Sequence, residues 1–134
     1  MLQPKKMKFR KAFRGNRKGI ATKGNEIAFG DYGLKALSNG WVSARQLEAA
    51  RKKITFVTKR LGKYWVRVFP HLPVTKKPVG VKMGSGKGDV DRYVVVVKPG
   101  TMLLEIGGVT KEMAEEALRK AGHKIGVKTT IIEK

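Results

Sequence analysis

The first 23 residues carry nine lysines and arginines (Lys5, Lys6, Lys8, Arg10, Lys11, Arg14, Arg17, Lys18 and Lys23) and no acid. A run of that kind repels itself. With Phe9 and Phe13 as its only aromatic side chains, it cannot offset the entropy of its own ordering. It is therefore expected to lie outside any packed core, as an extension over residues 1–23 that stays mobile until phosphates order it. A solubilising extension or a targeting leader would carry similar charge, although mitochondrial leaders are usually rich in serine and this segment has none.

The rest of the chain, 24–134, suits a single domain. At 134 residues and 41% hydrophobic, the protein can bury roughly two-thirds of its unfolded surface without staples. Nine of its +20 net charge fall in the extension and six more in residues 43–63. An excess that large opposes compaction and attracts a polyanion. Cysteine is absent, which excludes a disulfide framework, a thiolate metal site and a cysteine nucleophile. The longest apolar stretches, Tyr93–Val97 and Met102–Leu104, fall far short of the ~20 residues a bilayer demands. Met1-Leu2-Gln3-Pro4 runs into basic residues without an apolar signal region, so a cytoplasmic location is expected.

Two segments have helical periodicity. Ser43 and Gln46 form a capping-box pair ahead of Leu47, Ala50, Ile54, Val57 and Leu61, and Gly62 is the expected stop. The five apolar positions span an arc of ~80°, while Arg45, Lys52 and Lys59, flanked by Lys53 and Arg60, fall on the opposite side. A merely solvated face mixes signs, and this one has Glu48 as its single acid. Nucleic-acid contact is the expectation. The second helix is an internal control: Thr110 caps it, Glu112, Glu115 and Glu116 precede Arg119, Lys120 and Lys124, and Gly122 ends it. That order complements the helix dipole, with Glu115–Arg119 and Glu116–Lys120 spaced for ion pairs and Met113, Ala117, Leu118 and Ala121 as the apolar stripe.

The remainder has strand character: Glu26–Phe29, Tyr32–Leu37, Tyr64–Phe69, Val79–Met83, Arg92–Lys98, Met102–Ile106 and Val127–Ile132. The four valines 94–97 suggest a strand covered on both faces. Adjacent strands outnumbering two helices predict an α+β fold, an antiparallel or mixed sheet sandwich with two helices. Trp65, Arg67 and Phe69 alternate onto one strand face, where they would either stack bases or pack inside the sheet.

Between Phe69 and Pro78 three prolines exclude helix and favour extended backbone. Then comes Lys82-Met83-Gly84-Ser85-Gly86-Lys87-Gly88, whose glycines expose backbone amides between two lysines, a loop able to lie against phosphate oxygens. It is not a nucleotide-triphosphate loop, because Val81 stands where the first glycine should and Gly88 where a hydroxyl should. Catalytic readings are weak. His71 and His123 are the only histidines, Asp89 and Asp91 resemble turn residues more than a magnesium site, and Ser43 and Ser85 have no histidine near them in sequence. Neither a cofactor nor a metal nor a small-molecule substrate is expected.

Taken in order, these segments closely resemble the bacterial-type large-subunit ribosomal protein sixteen family along nearly the whole chain. The likeness rests on Met1-Leu2-Gln3-Pro4-Lys5 with Lys8-Phe9-Arg10-Lys11, Phe29-Gly30-Asp31-Tyr32-Gly33-Leu34 and Ala44-Arg45-Gln46-Leu47-Glu48-Ala49-Ala50-Arg51. It continues in Trp65-Val66-Arg67-Val68-Phe69-Pro70 and in Thr75-Lys76-Lys77-Pro78 leading to Met83-Gly84-Ser85-Gly86-Lys87-Gly88. The resemblance implies a hammerhead-like α/β sandwich seated on large-subunit, 23S-type rRNA among other ribosomal proteins. Lys5, Lys6, Lys8, Arg10, Lys11, Arg14, Arg17, Lys18, Arg45, Lys52, Lys53, Lys59, Arg60, Lys76 and Lys77 would face that rRNA. The loop Lys82, Met83, Gly84, Ser85, Gly86, Lys87 and Gly88 would reach A-site tRNA, with the P site as second candidate. The protein would organise the peptidyl transferase region without catalysing there. The family usually has arginine before Met-Gly; Lys82 keeps the charge and loses planar bidentate bonding. Bacterial and organelle-encoded origins both fit, and a free protein that compacts nucleic acid is the alternative. An RNA-modifying enzyme would need Asp89 and Asp91.

Overall fold

The computed structural model describes residues 1–15, 17–77, 80, 84 and 86–134. Their element order is β1 (Tyr32–Ala36), β2 (Gly40–Ser43), α1 (Ala44–Thr58), β3 (Lys63–Val66), β4 (Leu72–Lys76), β5 (Asp89–Val97), β6 (Met102–Gly107), α2 (Lys111–Gly122) and β7 (Thr129–Glu133). One sheet runs β3-β6-β1-β7 and the other β2-β5-β4, and every pairing is antiparallel. The protein is thus α+β, two antiparallel sheets with two helices. No helix among the described residues is long and apolar enough to cross a membrane.

Both sheets and both helices feed one core. Leu34 and Leu104 from the four-stranded sheet, Val42, Val95 and Val97 from the three-stranded sheet, Leu47 and Ile54 from α1, and Leu118 from α2 are all buried in it. At ~25 cal/mol per Å² of apolar surface, each such side chain contributes on the order of 2 kcal/mol. Val94 and Val95 point to opposite sides of β5 and are both buried, as the run of valines predicts.

The helices begin where their caps predict. Ser43 accepts from the Gln46 amide while the Gln46 side chain accepts from the Ser43 amide, closing the capping box, and Thr110 caps α2 by accepting from Met113. The end of α1 differs from expectation. Lys59 turns into the left-handed region (φ 53°) directly after Thr58, so Leu61 leaves the helical phase and is exposed. Buried Thr58 closes the inner stripe instead, its hydroxyl donating to the Ile54 carbonyl. In α2 the stripe runs through Ala114 rather than half-buried Met113. Glu116–Lys120 pairs at 2.8 Å, whereas Glu115–Arg119 forms no ion pair among the described residues.

Three strand expectations change. Residues 26–29 form no strand, because the amides of Ala28, Phe29 and Gly30 all donate to the Glu105 carboxylate instead of to a ladder. β2 is a strand that periodicity does not announce; it pairs with the valines of β5. β4 is another, and it contains Pro73, which is tolerated because β4 is an edge strand. β3 ends at Val66, three residues earlier than expected; β5 begins at Asp89, three earlier; and β7 begins at Thr129, two later. The expected strand Val79–Met83 falls mostly outside the described residues.

Candidate nucleic-acid interface

α1 separates its two sides cleanly. Ala44, Leu47, Ala50, Ile54 and Thr58 are buried, while Arg45 and Lys52 on the helix, with Lys59 and Arg60 just past it, are exposed and Lys53 is half-buried. The single acid does not neutralise them: Glu48 is held by the guanidinium of Arg51, whose hydrogen bond keeps that carboxyl below the usual range. Among the described residues Arg45, Lys52, Lys59 and Arg60 make no hydrogen bond or ion pair through their side chains. Two exposed cations on the helix and two in the turn that ends it, with Glu48 already engaged, generate a positive potential that attracts an external anion.

Arg67 has the opposite fate. Its guanidinium meets the fully buried Glu105 and donates to the Glu26 carbonyl at 3.0 Å. Glu105 also accepts the amides of Ala28, Phe29 and Gly30 at 3.1, 2.8 and 2.9 Å. Burial, the largest single influence, pushes the Glu105 carboxyl up; the Gly30 amide, Arg67 and the other two amides outweigh it and leave it below its ordinary value. Gly30 permits this close packing, since a Cβ there would strike the backbone of Ile106. Phe29 stacks on Trp65 at 6.1 Å, and Arg67 lies over Phe29 at 5.3 Å. The Trp65–Arg67 strand face is therefore occupied largely from within the protein, although Phe69 remains 44% exposed.

Residues 1–15 and 17–31 hold neither helix nor strand and touch the body at several points. Lys11 donates to the Lys87 carbonyl at 2.9 Å, and the Lys87 ammonium returns to the Ala12 carbonyl and sits 5.6 Å from the Phe13 ring centre. Arg14 and Arg17 both lie over Trp41 of β2, at 5.8 and 5.2 Å. Ala21 then donates to Pro99 and Met102 to Gly24, which leads the chain onto the sheet. Lys5, Lys6, Lys8, Arg10, Arg14, Arg17 and Lys18 are exposed, and Lys11 is half-buried.

The glycine loop is partly described. Gly84 (φ 101°) and Gly86 (φ 86°) adopt left-handed backbone that only glycine takes without strain, and the Lys77 ammonium donates to the Gly84 carbonyl. Lys82, Met83 and Ser85 lie outside the described residues. Lys76 is exposed at the end of the edge strand β4. Sequence-predicted cations thus gather in two places: along α1, and where the extension meets the loop at Lys11 and Lys87. Trp41 and Phe56 were missed. The first acts as a stacking surface for two arginines; the second follows Lys52 by one helical turn, a signal that spacing does carry. Among the described residues no three His, Asp or Glu side chains stand together as a metal site, and Asp91 is paired with Arg92 at 3.0 Å.

A basic α+β body with exposed cations gathered along one helix and one arm has the geometry of a protein that faces a polyanion. Comparison with known proteins agrees. The family model described as ribosomal protein L16p/L10e matches residues 4–132. The chain is also 53% identical over 133 residues to the large ribosomal subunit protein uL16 of Sulfurihydrogenibium sp. (strain YO3AOP1), an alignment covering 99% of this chain and 96% of that protein. The chain belongs to the ribosomal protein L16p/L10e family.

Proposed function

We propose that this protein is a structural constituent of the large ribosomal subunit that binds its rRNA through the outer side of α1 and through residues 1–23. The observation that carries the reading is the set of unpaired cations Arg45, Lys52, Lys59 and Arg60 beside a Glu48 already claimed by Arg51, in a chain of this family. RNA phosphates satisfy such cations and release counterions as they do so. The extension contributes by threading its nine cations among rRNA helices, with Lys76 and Lys77 adding charge at the bend.

The loop 82–88 extends the reading toward translation: it contacts tRNA at the A site, with the P site as the second candidate. Gly84 and Gly86 supply exposed backbone and Lys87 a nearby charge, a combination that follows a phosphate backbone without reading bases. The role is to organise the peptidyl transferase region, and the chemistry stays with RNA.

The test is cofractionation followed by crosslinking. The tagged chain should remain on large subunits through high-salt washing, and a photoreactive group at Lys87 should crosslink to tRNA in translating ribosomes. Recovery on bulk RNA or DNA and absence from washed subunits would establish the compacting protein instead.

A further inference from the structure

Phe56 is 75% exposed, yet it sits on the basic side of α1, within ~20° of Arg45 and ~40° of Lys52 at 100° per residue. The Lys53 ammonium lies 5.1 Å from its ring centre. Three residues on, where α1 ends, the chain takes two consecutive left-handed residues that are not glycine, Lys59 (φ 53°) and Arg60 (φ 65°), and the Arg60 amide bonds back to the Thr55 carbonyl at 3.1 Å. This turn places Lys59 and Arg60 in the lining of the same depression as Phe56. An open depression of about 720 Å³ is lined by Phe56, Lys52, Lys59 and Arg60 together with the Glu116–Lys120 pair of α2. Backbone held in a sparsely populated region commonly serves a site, and here two such residues, both cationic, line one depression with an exposed aromatic ring.

We infer that this depression is a binding site for one unpaired nucleotide, its base stacked on Phe56 and its phosphate held by Lys52, Lys59 and Arg60. A base within a duplex is covered on both faces by its neighbours, so a ring on a protein surface reaches only a base that is bulged or looped out. The depression falls within the volume range of single-ligand sites. An apolar protein partner fits poorly, since covering Phe56 would also bury three unpaired cations, and the one acid present is already held by Lys120. The inference rests on the RNA-facing reading of α1 and adds to it that the RNA at the C-terminal end of this helix is single-stranded.

The experiment compares the full chain with its Phe56→Ala, Phe56→Leu and Phe56→Tyr variants on oligoadenylate and on a blunt RNA duplex. Because the ring is exposed, all four proteins should melt alike. Phe56→Ala and Phe56→Leu should each lose about 10-fold in affinity for oligoadenylate, the usual weight of one base–aromatic stack, while Phe56→Tyr keeps it. Duplex affinity should stay unchanged throughout. In the unaltered chain the Phe56 ring resonances should move upfield on adding oligoadenylate and stay in place with duplex, a readout that requires no variant to fold. Leucine performing as well as phenylalanine, or unmoved ring resonances at saturating oligoadenylate, would overturn the inference and leave the RNA-facing reading intact. Failure of the unaltered chain to bind either RNA would overturn both.

Discussion

The two helices have the same inner architecture and opposite outer ones. Each starts at a hydroxyl cap, Ser43 or Thr110, and each buries a stripe of small and branched apolar residues in the shared core. On the outside, α2 has Glu112 in its first turn, Arg119 and Lys120 in its last, and a Glu116–Lys120 pair, an order that complements its own dipole. α1 has no acid in its first turn and no cation within its last, and the exposed Arg45 and Lys52 stand unpaired among the described residues. α2 therefore carries the charges a helix uses for itself. The surplus on α1 pairs with nothing among the described residues and is left free for an external anion.

The comparison breaks most visibly under charge reversal. Replacing Arg45, Lys52 and Lys59 together by Glu should weaken binding to a large-subunit rRNA fragment by about 10³-fold, since each lost phosphate contact forfeits counterion release. The same treatment of Arg119, Lys120 and Lys124 should cost about tenfold or less, from net charge alone. Equal losses in a filter-binding titration would show that only total charge matters.

Arg67 sharpens the distinction, because it is a cation of the structural kind outside either helix. Glu105→Gln should destabilise the protein by about 3–5 kcal/mol at pH 7, the range for breaking a buried pair, while RNA affinity at temperatures where the variant stays folded changes little. The pH dependence has a definite sign. The native carboxyl lies below its ordinary value of 4.5, so its contribution is present above that pH and is lost as pH falls through the lowered native value. Urea denaturation at pH 7 and at pH 3 should show a wild-type loss that Glu105→Gln lacks.

The inner faces should respond alike. Leu47→Ala in α1 and Leu118→Ala in α2, both fully buried, should each cost about 2–5 kcal/mol in chemical denaturation. The smallest effects belong to the caps: Ser43→Ala and Thr110→Ala should each cost about 1 kcal/mol by the same assay. A large difference within either pair would mean that the helices are not equivalent parts of one core.

What could be read from the chain beforehand follows the range of the interactions involved. The α1 capping box spans four residues and the helix fifteen, so both are visible in local spacing. Glu105 and the 28–30 amides are 75 to 77 residues apart, and nothing local in Glu26–Phe29 reveals that its amides will be captured; the segment therefore has the periodicity of a strand without becoming one. β2 and β4 exist because β5 lies between them, and Pro73 argues against a strand until its edge position is known. The cations were legible as a set, because charge is additive along a sequence. Which of them are used internally was not: Arg51 and Arg67 look like Arg45 until Glu48 and Glu105 are placed beside them. Phe56 falls on the basic side by the same helical spacing that places Arg45 and Lys52, but the turn at Lys59 and Arg60 that lines a depression with it is not visible in that spacing.

The central claim is that the charge of α1 and the extension is matched to RNA phosphates, and salt dependence tests it most directly. With about eight phosphates engaged, a plot of log affinity for a large-subunit rRNA fragment against log salt should fall with a slope of about −7. The slope should shrink by about 3 when Arg45, Lys52 and Lys59 are neutralised to Gln. A slope near −1 for the unaltered chain, or one that the three substitutions leave untouched, would contradict the account.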